Sequence, residues 1–130
     1  MKAQTEIRVL KVEPDKYPEV ITIKNELEDM QAIVGGWIEV CPIAEDVAIV
    51  CNEEGKINGL ELNRPIYNAN GEIIDIIAGT FFVAGDDYST GEFVSLTDEQ
   101  IEKYTNQFKY PVDYIKVNNG IIAFPRKEFL

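Results

Sequence analysis

Residues 71–85, GEIIDIIAGTFFVAG, decide how the rest of the chain can be arranged. From residue 73 to residue 84 the stretch is dense in β-branched and aromatic side chains, which suits a strand covered on both faces at the centre of a sheet. Gly79 interrupts the run, and an isolated glycine in such a place marks a bulge or the close approach of another backbone. The expectation is one long central strand over residues 73–84, broken in regularity at Gly79.

Paired strands flank this centre. IRVLKV (residues 7–12) and EVITIK (residues 19–24) alternate apolar and polar side chains around the doubly proline-bearing EPDKYP, so they read as a hairpin with a loose loop. WIEVCPI (residues 37–43) and DVAIVCN (residues 46–52) make a second hairpin, with Pro42 at its end or edge because proline donates no ladder hydrogen bond. In the tail, DYIKVNNGIIAF, the dipeptide Asn119-Gly120 signals a hairpin with a type I′ turn.

Two segments carry helical spacing instead. Asn25 stands three residues before Glu28 as a capping pair, and Leu27, Met30, Ile33 and Val34 form one apolar stripe that Gly35-Gly36 stops. Thr97 and Gln100 make a second capping box ahead of Ile101, Tyr104 and Phe108, and that helix must end before Pro111. The fold class is therefore α+β: a mainly antiparallel sheet built from hairpins with two short amphipathic helices, as a single domain over residues 1–130.

Composition narrows the chemistry. The 130 residues are 45% hydrophobic and 27% charged, ordinary globular values, and no window approaches the roughly 20 apolar residues of a membrane span. The start, MKAQTEIRVLKV, has strand-like alternation in place of the apolar core of a secretory peptide, so a cytoplasmic location is expected. Twelve Lys and Arg against 23 Asp and Glu give a net charge of −11, with the cations scattered, which disfavours direct duplex nucleic-acid binding. The same acidity suits a decoy that occupies a basic groove on another protein.

There is no histidine, which removes the usual Ser-His-Asp and Cys-His arrangements and the common zinc sites. Cys41 and Cys51 each lie within an apolar run and read as free buried thiols. Glycine placement excludes a P-loop or a dinucleotide fingerprint, because Gly35-Gly36 follows a helix where those motifs precede one. The Glu53-Glu54-Gly55 and Asn68-Ala69-Asn70-Gly71 segments fail the calcium-loop spacing and read as turns. No catalytic motif, metal site or cofactor is expected.

The polar connector NEEGKINGLELNRPIYN (residues 52–68) holds no apolar run long enough for a strand, yet it concentrates amides and charges. Within it, proline stiffens the backbone beside Asn63 and Arg64, whose amide and guanidinium recognise planar anions and bases. Two roles stay open. Either Arg64 pairs with Glu39 or Asp75 and pins the connector to the sheet, or Asn63 and Arg64 face a ligand. Glu39 and Asp75 each interrupt an apolar strand, and alternation turns them outward or leaves them paired inside.

The segments VGGWIEV, DVAIVCNEEGKINGLELNRPIYN, DIIAGTFFVAG and FVSLTDEQIEKY, in this order and at these gaps, resemble the family catalogued as domain of unknown function 3846. The similarity covers residues 7–104. It implies a setting among small accessory proteins of phages and conjugative elements, and no reaction. Carried onto this chain it singles out Gly35, Gly36, Glu39, Asn52, Glu53, Gly55, Gly59, Asn63, Arg64 and Gly79. The resulting expectation is a non-enzymatic counter-defence module that sequesters a small ligand, a nucleotide-derived one among the candidates, with Arg64 on phosphate, Asn63 and Asn52 on polar edges, Glu39 beside them, and Tyr67, Phe81 or Trp37 as a stacking face. The alternative is the acidic nucleic-acid mimic. Partners are accordingly a small molecule or a host protein, with homo-oligomer formation open and no membrane association.

Overall fold

A computed structural model describes residues 4–130. The first hairpin is β1 (Glu6–Val12) and β2 (Glu19–Lys24), paired antiparallel from Glu6 opposite Lys24 to Lys11 opposite Glu19. Helix α1 (Leu27–Val34) follows, then β3 (Ile38–Ala44) and β4 (Val47–Asn52) as the second hairpin. β5 (Leu62–Tyr67) and β6 (Ile73–Ala78) form a separate two-stranded sheet. β7 (Phe81–Asp87), β8 (Glu92–Val94), α2 (Asp98–Gln107) and the hairpin of β9 (Val112–Val117) with β10 (Gly120–Pro125) complete the chain. A short 3-10 turn closes it at Lys127–Phe129.

The main sheet has the order β2-β1-β7-β4-β3, with β8 on the far end of β7, and every pairing is antiparallel. β7 is central because both its faces are covered, so FFVAG can be apolar at every position; Phe81, Phe82, Val83 and Ala84 are fully buried. Strict alternation sorts them. Phe82 and Ala84 pack with Ile7, Val9, Val50, Met30 and Val34 beneath α1. Phe81 and Val83 pack with Leu10, Val12, Ile49, Tyr104 and Phe108 on the opposite face, under α2 and β6. Two helices and antiparallel hairpins make the α+β class plain.

The long central strand expected over residues 73–84 is instead two strands in different sheets. Gly79 has φ +84°, a left-handed conformation that turns the chain between β6 and β7 and leaves no ladder through it. A backbone does come close there, the Gly79 N–H donating to Glu61 O at 2.7 Å, and a Cβ at Gly79 would stand 2.7 Å from the side-chain atom Leu60 Cδ1. Once β6 leaves the main sheet it needs its own partner. The connector supplies one in β5, although its amide-rich sequence gave no strand signal, and Pro65 sits at a register shift in the pairing where its missing N–H does least harm.

Two smaller expectations change as well. Asn25 does not cap α1, whose N-cap is Glu26; the buried Asn25 amide donates instead to the carbonyls of Gln4 and Phe93, joining the chain's first strand region to β8. The tail hairpin turns through Asn118 and Asn119, neither with positive φ, so it is not type I′; only Gly120, at φ +144°, leaves the usual region. The Thr97–Gln100 capping box, the Gly35 helix stop at φ +80° and the edge position of Pro42 are as expected.

Candidate functional site

A register shift in β5 lets successive residues face inward, and Asn63, Arg64 and Pro65 are all buried. Arg64, 1% exposed, meets a ring of main-chain carbonyls and, among the described residues, forms no ion pair with a carboxylate. Its Nε donates to Phe108 O at 3.0 Å, Nη1 to Glu13 O, Pro14 O and Asn63 Oδ1 at 3.3, 3.2 and 3.0 Å, and Nη2 to Lys16 O at 2.7 Å. Phe108 is the C-cap of α2, a helix with no basic residue in its last turn. Arg64 thus brings, from a distant strand, the cation that a helix C-terminus favours. Burial draws its pKa down to about 10, offset in part by Tyr114 and deepened by Arg126, and the group stays charged at neutral pH.

Asn63 completes the joint. Its Nδ2 donates to Val12 O and Gly79 O, both at 2.9 Å, and its own carbonyl accepts from the Tyr114 hydroxyl at 2.7 Å. These two side chains therefore connect the end of β1, the loop after it, the β6–β7 turn and the end of α2, and the Asn63 main chain adds β9. The expected pinning through Glu39 or Asp75 does not occur, and the ligand-facing geometry expected for Asn63 and Arg64 gives way to this internal one.

The other expected site residues lie apart. Asn52 donates to Val34 O at 3.1 Å and accepts from Glu54 N at 2.8 Å, closing the end of α1 and opening a turn. A Cβ on Gly36 would come within 2.9 Å of that amide, which accounts for Gly36, while Gly35 is set by its φ of +80°. Trp37, 67% exposed, lines neither of the two clefts that follow. Glu39 and Asn52 border one of these, of about 240 Å³, between the ends of β3 and β4, the connector and β6. There Lys56 and Asp75 form an ion pair across the connector, so Asp75 is outward and matched. Cys51 and Cys41 stand on the same face as Glu39; burial, with Cys41 and Glu39 adding to it, pushes the Cys51 thiol up to about 12, and burial with the Glu39 hydrogen bond raises Cys41 too. Neither is a ready nucleophile at neutral pH.

Tyr67 belongs to the second cleft, of about 180 Å³, formed where β5 and the end of α2 meet the β9–β10 hairpin. Pro65, Tyr67, Tyr110 and Phe124 supply its apolar and aromatic wall, while Asn106 and Gln107 bring amides from the last turn of α2. Lys109 lies over the Tyr110 ring at 5.3 Å from its centroid, the nearest cation to the opening apart from the enclosed Arg64. Its floor is the Arg64 joint, whose positive charge compensates the partial negative charge of the helix end. Of the residues lining this cleft, sequence reasoning names Tyr67 and Arg64 as ligand-binding; the α2-end and tail-hairpin residues come from segments that only the topology brings to β5.

The family described as Domain of unknown function (DUF3846) matches residues 7–109, most of the chain, and the chain belongs to that family. The match ends at Lys109, so the β9–β10 wall of the second cleft lies beyond it. Searches of curated proteins and of solved structures find no match to the chain. Among the described residues no helix is long and apolar enough to cross a membrane.

Proposed function

We propose that the protein is a non-enzymatic binding module that holds a small planar ligand, one ring system of a nucleotide-derived molecule, in the cleft between the end of α2 and the β9–β10 hairpin. The observation that carries this reading is the meeting of Tyr67, Tyr110 and Phe124 with the amides of Asn106 and Gln107 around a space too small for a drug-sized molecule and sufficient for a base. Aromatic faces accept any base by stacking, and amides read its polar edge. Lys109 at the rim meets an attached phosphate, a role the buried Arg64 does not fill. In the setting implied by the family resemblance, sequestration of such a molecule in the bacterial cytoplasm serves counter-defence.

A thermal-shift series over mononucleotides, cyclic nucleotides and nucleosides tests the proposal. At least one compound should raise the melting temperature, by about 2.7 kcal/mol of stabilisation at a hundredfold excess over its dissociation constant. Tyr67→Ala and Gln107→Ala, both at exposed positions, should keep the unliganded melting temperature and lose the shift, whereas Glu39→Gln should keep both. A panel that moves nothing sinks the reading. The acidic-mimic alternative, which rests on the charge of −11, would then be favoured by capture of a basic protein that weakens steeply with salt.

A further inference from the structure

Cys41 and Cys51 are separated by nine intervening residues and by a turn, yet the β3–β4 register brings their side chains together with a carboxylate. Glu39 lies directly opposite Cys51, and Cys41, two residues further along β3, shares that face and is the diagonal neighbour of Cys51. The sulfur atoms and a Glu39 carboxylate oxygen all lie within 4.8 Å of one another, and the Cys41 thiol donates to Glu39 Oε1 at 3.4 Å. Glu39 and Cys51 of the group line the cleft bordered by Asn52, Lys56 and Asp75, which shares no residue with the aromatic cleft at the end of α2.

The register also separates two chemistries that a pair of thiols can undergo. Diagonal cross-strand Cβ atoms lie about 7–8 Å apart or somewhat less, whereas a disulfide needs them at about 3.5–4.5 Å. Diagonal sulfurs can instead converge on an atom between them. Two thiolates and one carboxylate are a donor set for a borderline-soft divalent ion, and three protein ligands leave a fourth position free. Asp75, whose Oδ1 is held by Lys56 and by the Ile76 N–H, lies outside this cluster, and the cleft that Glu39 and Cys51 line offers the space for a fourth ligand.

We propose that Glu39, Cys41 and Cys51 form a zinc site with three protein ligands and one exchangeable position open to the cleft. On binding, each thiol gives its proton to solvent and no electron moves; two thiolates, one carboxylate and Zn²⁺ leave the site with a net charge of −1. The edge position of β3 gives the ion a path in, because nothing in the sheet lies beyond that strand.

The experiment is zinc titration of the reduced, chelator-treated full chain against a competing indicator, with cobalt(II) substitution read by absorption. The expected result is a single zinc per chain and a near-ultraviolet sulfur-to-cobalt charge-transfer band. Cys41→Ser should weaken zinc by more than the roughly 10–100-fold lost when only an outer-shell partner of a metal is removed. Glu39→Gln, at an exposed position that the fold does not need, should weaken it measurably and keep the sulfur band. No stoichiometric zinc at micromolar concentration, a cobalt spectrum without the sulfur band, or affinity unchanged in both variants would overturn the site.

Discussion

Arg64→Met should be among the most damaging single substitutions in this protein, lowering stability by about 3–5 kcal/mol, since each buried carbonyl left without a donor costs roughly 1–3 kcal/mol. The main-chain carbonyls of Pro14, Lys16 and Phe108 lose the guanidinium at once, and Glu13 O keeps only the Lys16 N–H. Methionine fills part of the volume, so the loss reports hydrogen bonding more than cavity formation. For a chain of this size the melting temperature should fall by roughly 10–20 °C. Arg64→Lys should be nearly as harmful. A lysine keeps the charge but gathers its donors on one atom, which cannot span carbonyls that a guanidinium reaches from three nitrogens. Urea unfolding of the two variants checks this, and a lysine variant of wild-type stability would show that the charge alone suffices.

Gly79→Val should be the second severe change, at about 2–4 kcal/mol. Two costs combine: a β-branched residue forced to positive φ, worth roughly 1–3 kcal/mol, and crowding in a packed region, worth a similar amount. The added Cβ would stand 2.7 Å from Leu60 Cδ1 and 3.4 Å from Leu60 Cβ, so the connector must move off the turn. Gly59→Val isolates the first cost, because Gly59 has φ +70° with nothing within 4 Å of an added Cβ. The difference between the two variants in calorimetry measures the packing of connector against turn. Equal losses would mean that Leu60 yields freely.

Both positions show where sequence reading succeeds and where it stops. The alternating hairpins β1–β2 and β3–β4 and the Thr97–Gln100 cap were legible because strand alternation and capping are local rules. Gly79 was legible as a special position but not as a boundary. A glycine in an apolar run signals an unusual backbone, and whether that backbone bulges or reverses into another layer depends on what β6 pairs with. β5 was invisible because its alternation is overridden by a register shift and by burial of an amide, a guanidinium and a proline in succession.

The same holds at the candidate site. The prominence of Asn63 and Arg64 in the sequence was real, and its cause is structural: one amide and one guanidinium join four parts of the fold through main-chain carbonyls, partners that carry no sequence signature. Glu39 and Asn52 border one cleft, and the pairing of Glu39 with two thiols required the β3–β4 register. The aromatic cleft required more still, since Tyr67, Gln107 and Phe124 converge only after β5, α2 and the tail hairpin are docked. Polar residues that stand out in a sequence need not be the ones that face a ligand. Here they build the floor beneath the cleft.

Backbone amide NMR of the labelled chain, titrated with the compound that gives the largest thermal shift, addresses the location of function most directly. Shifts should concentrate at Tyr67, Asn106, Gln107, Tyr110 and Phe124, with the amides of Trp37, Glu39 and Asn52 unmoved. Perturbation centred on Trp37, Glu39 and Asn52, or spread over the acidic surface with the aromatic cleft silent, would contradict the assignment of ligand binding to the end of α2.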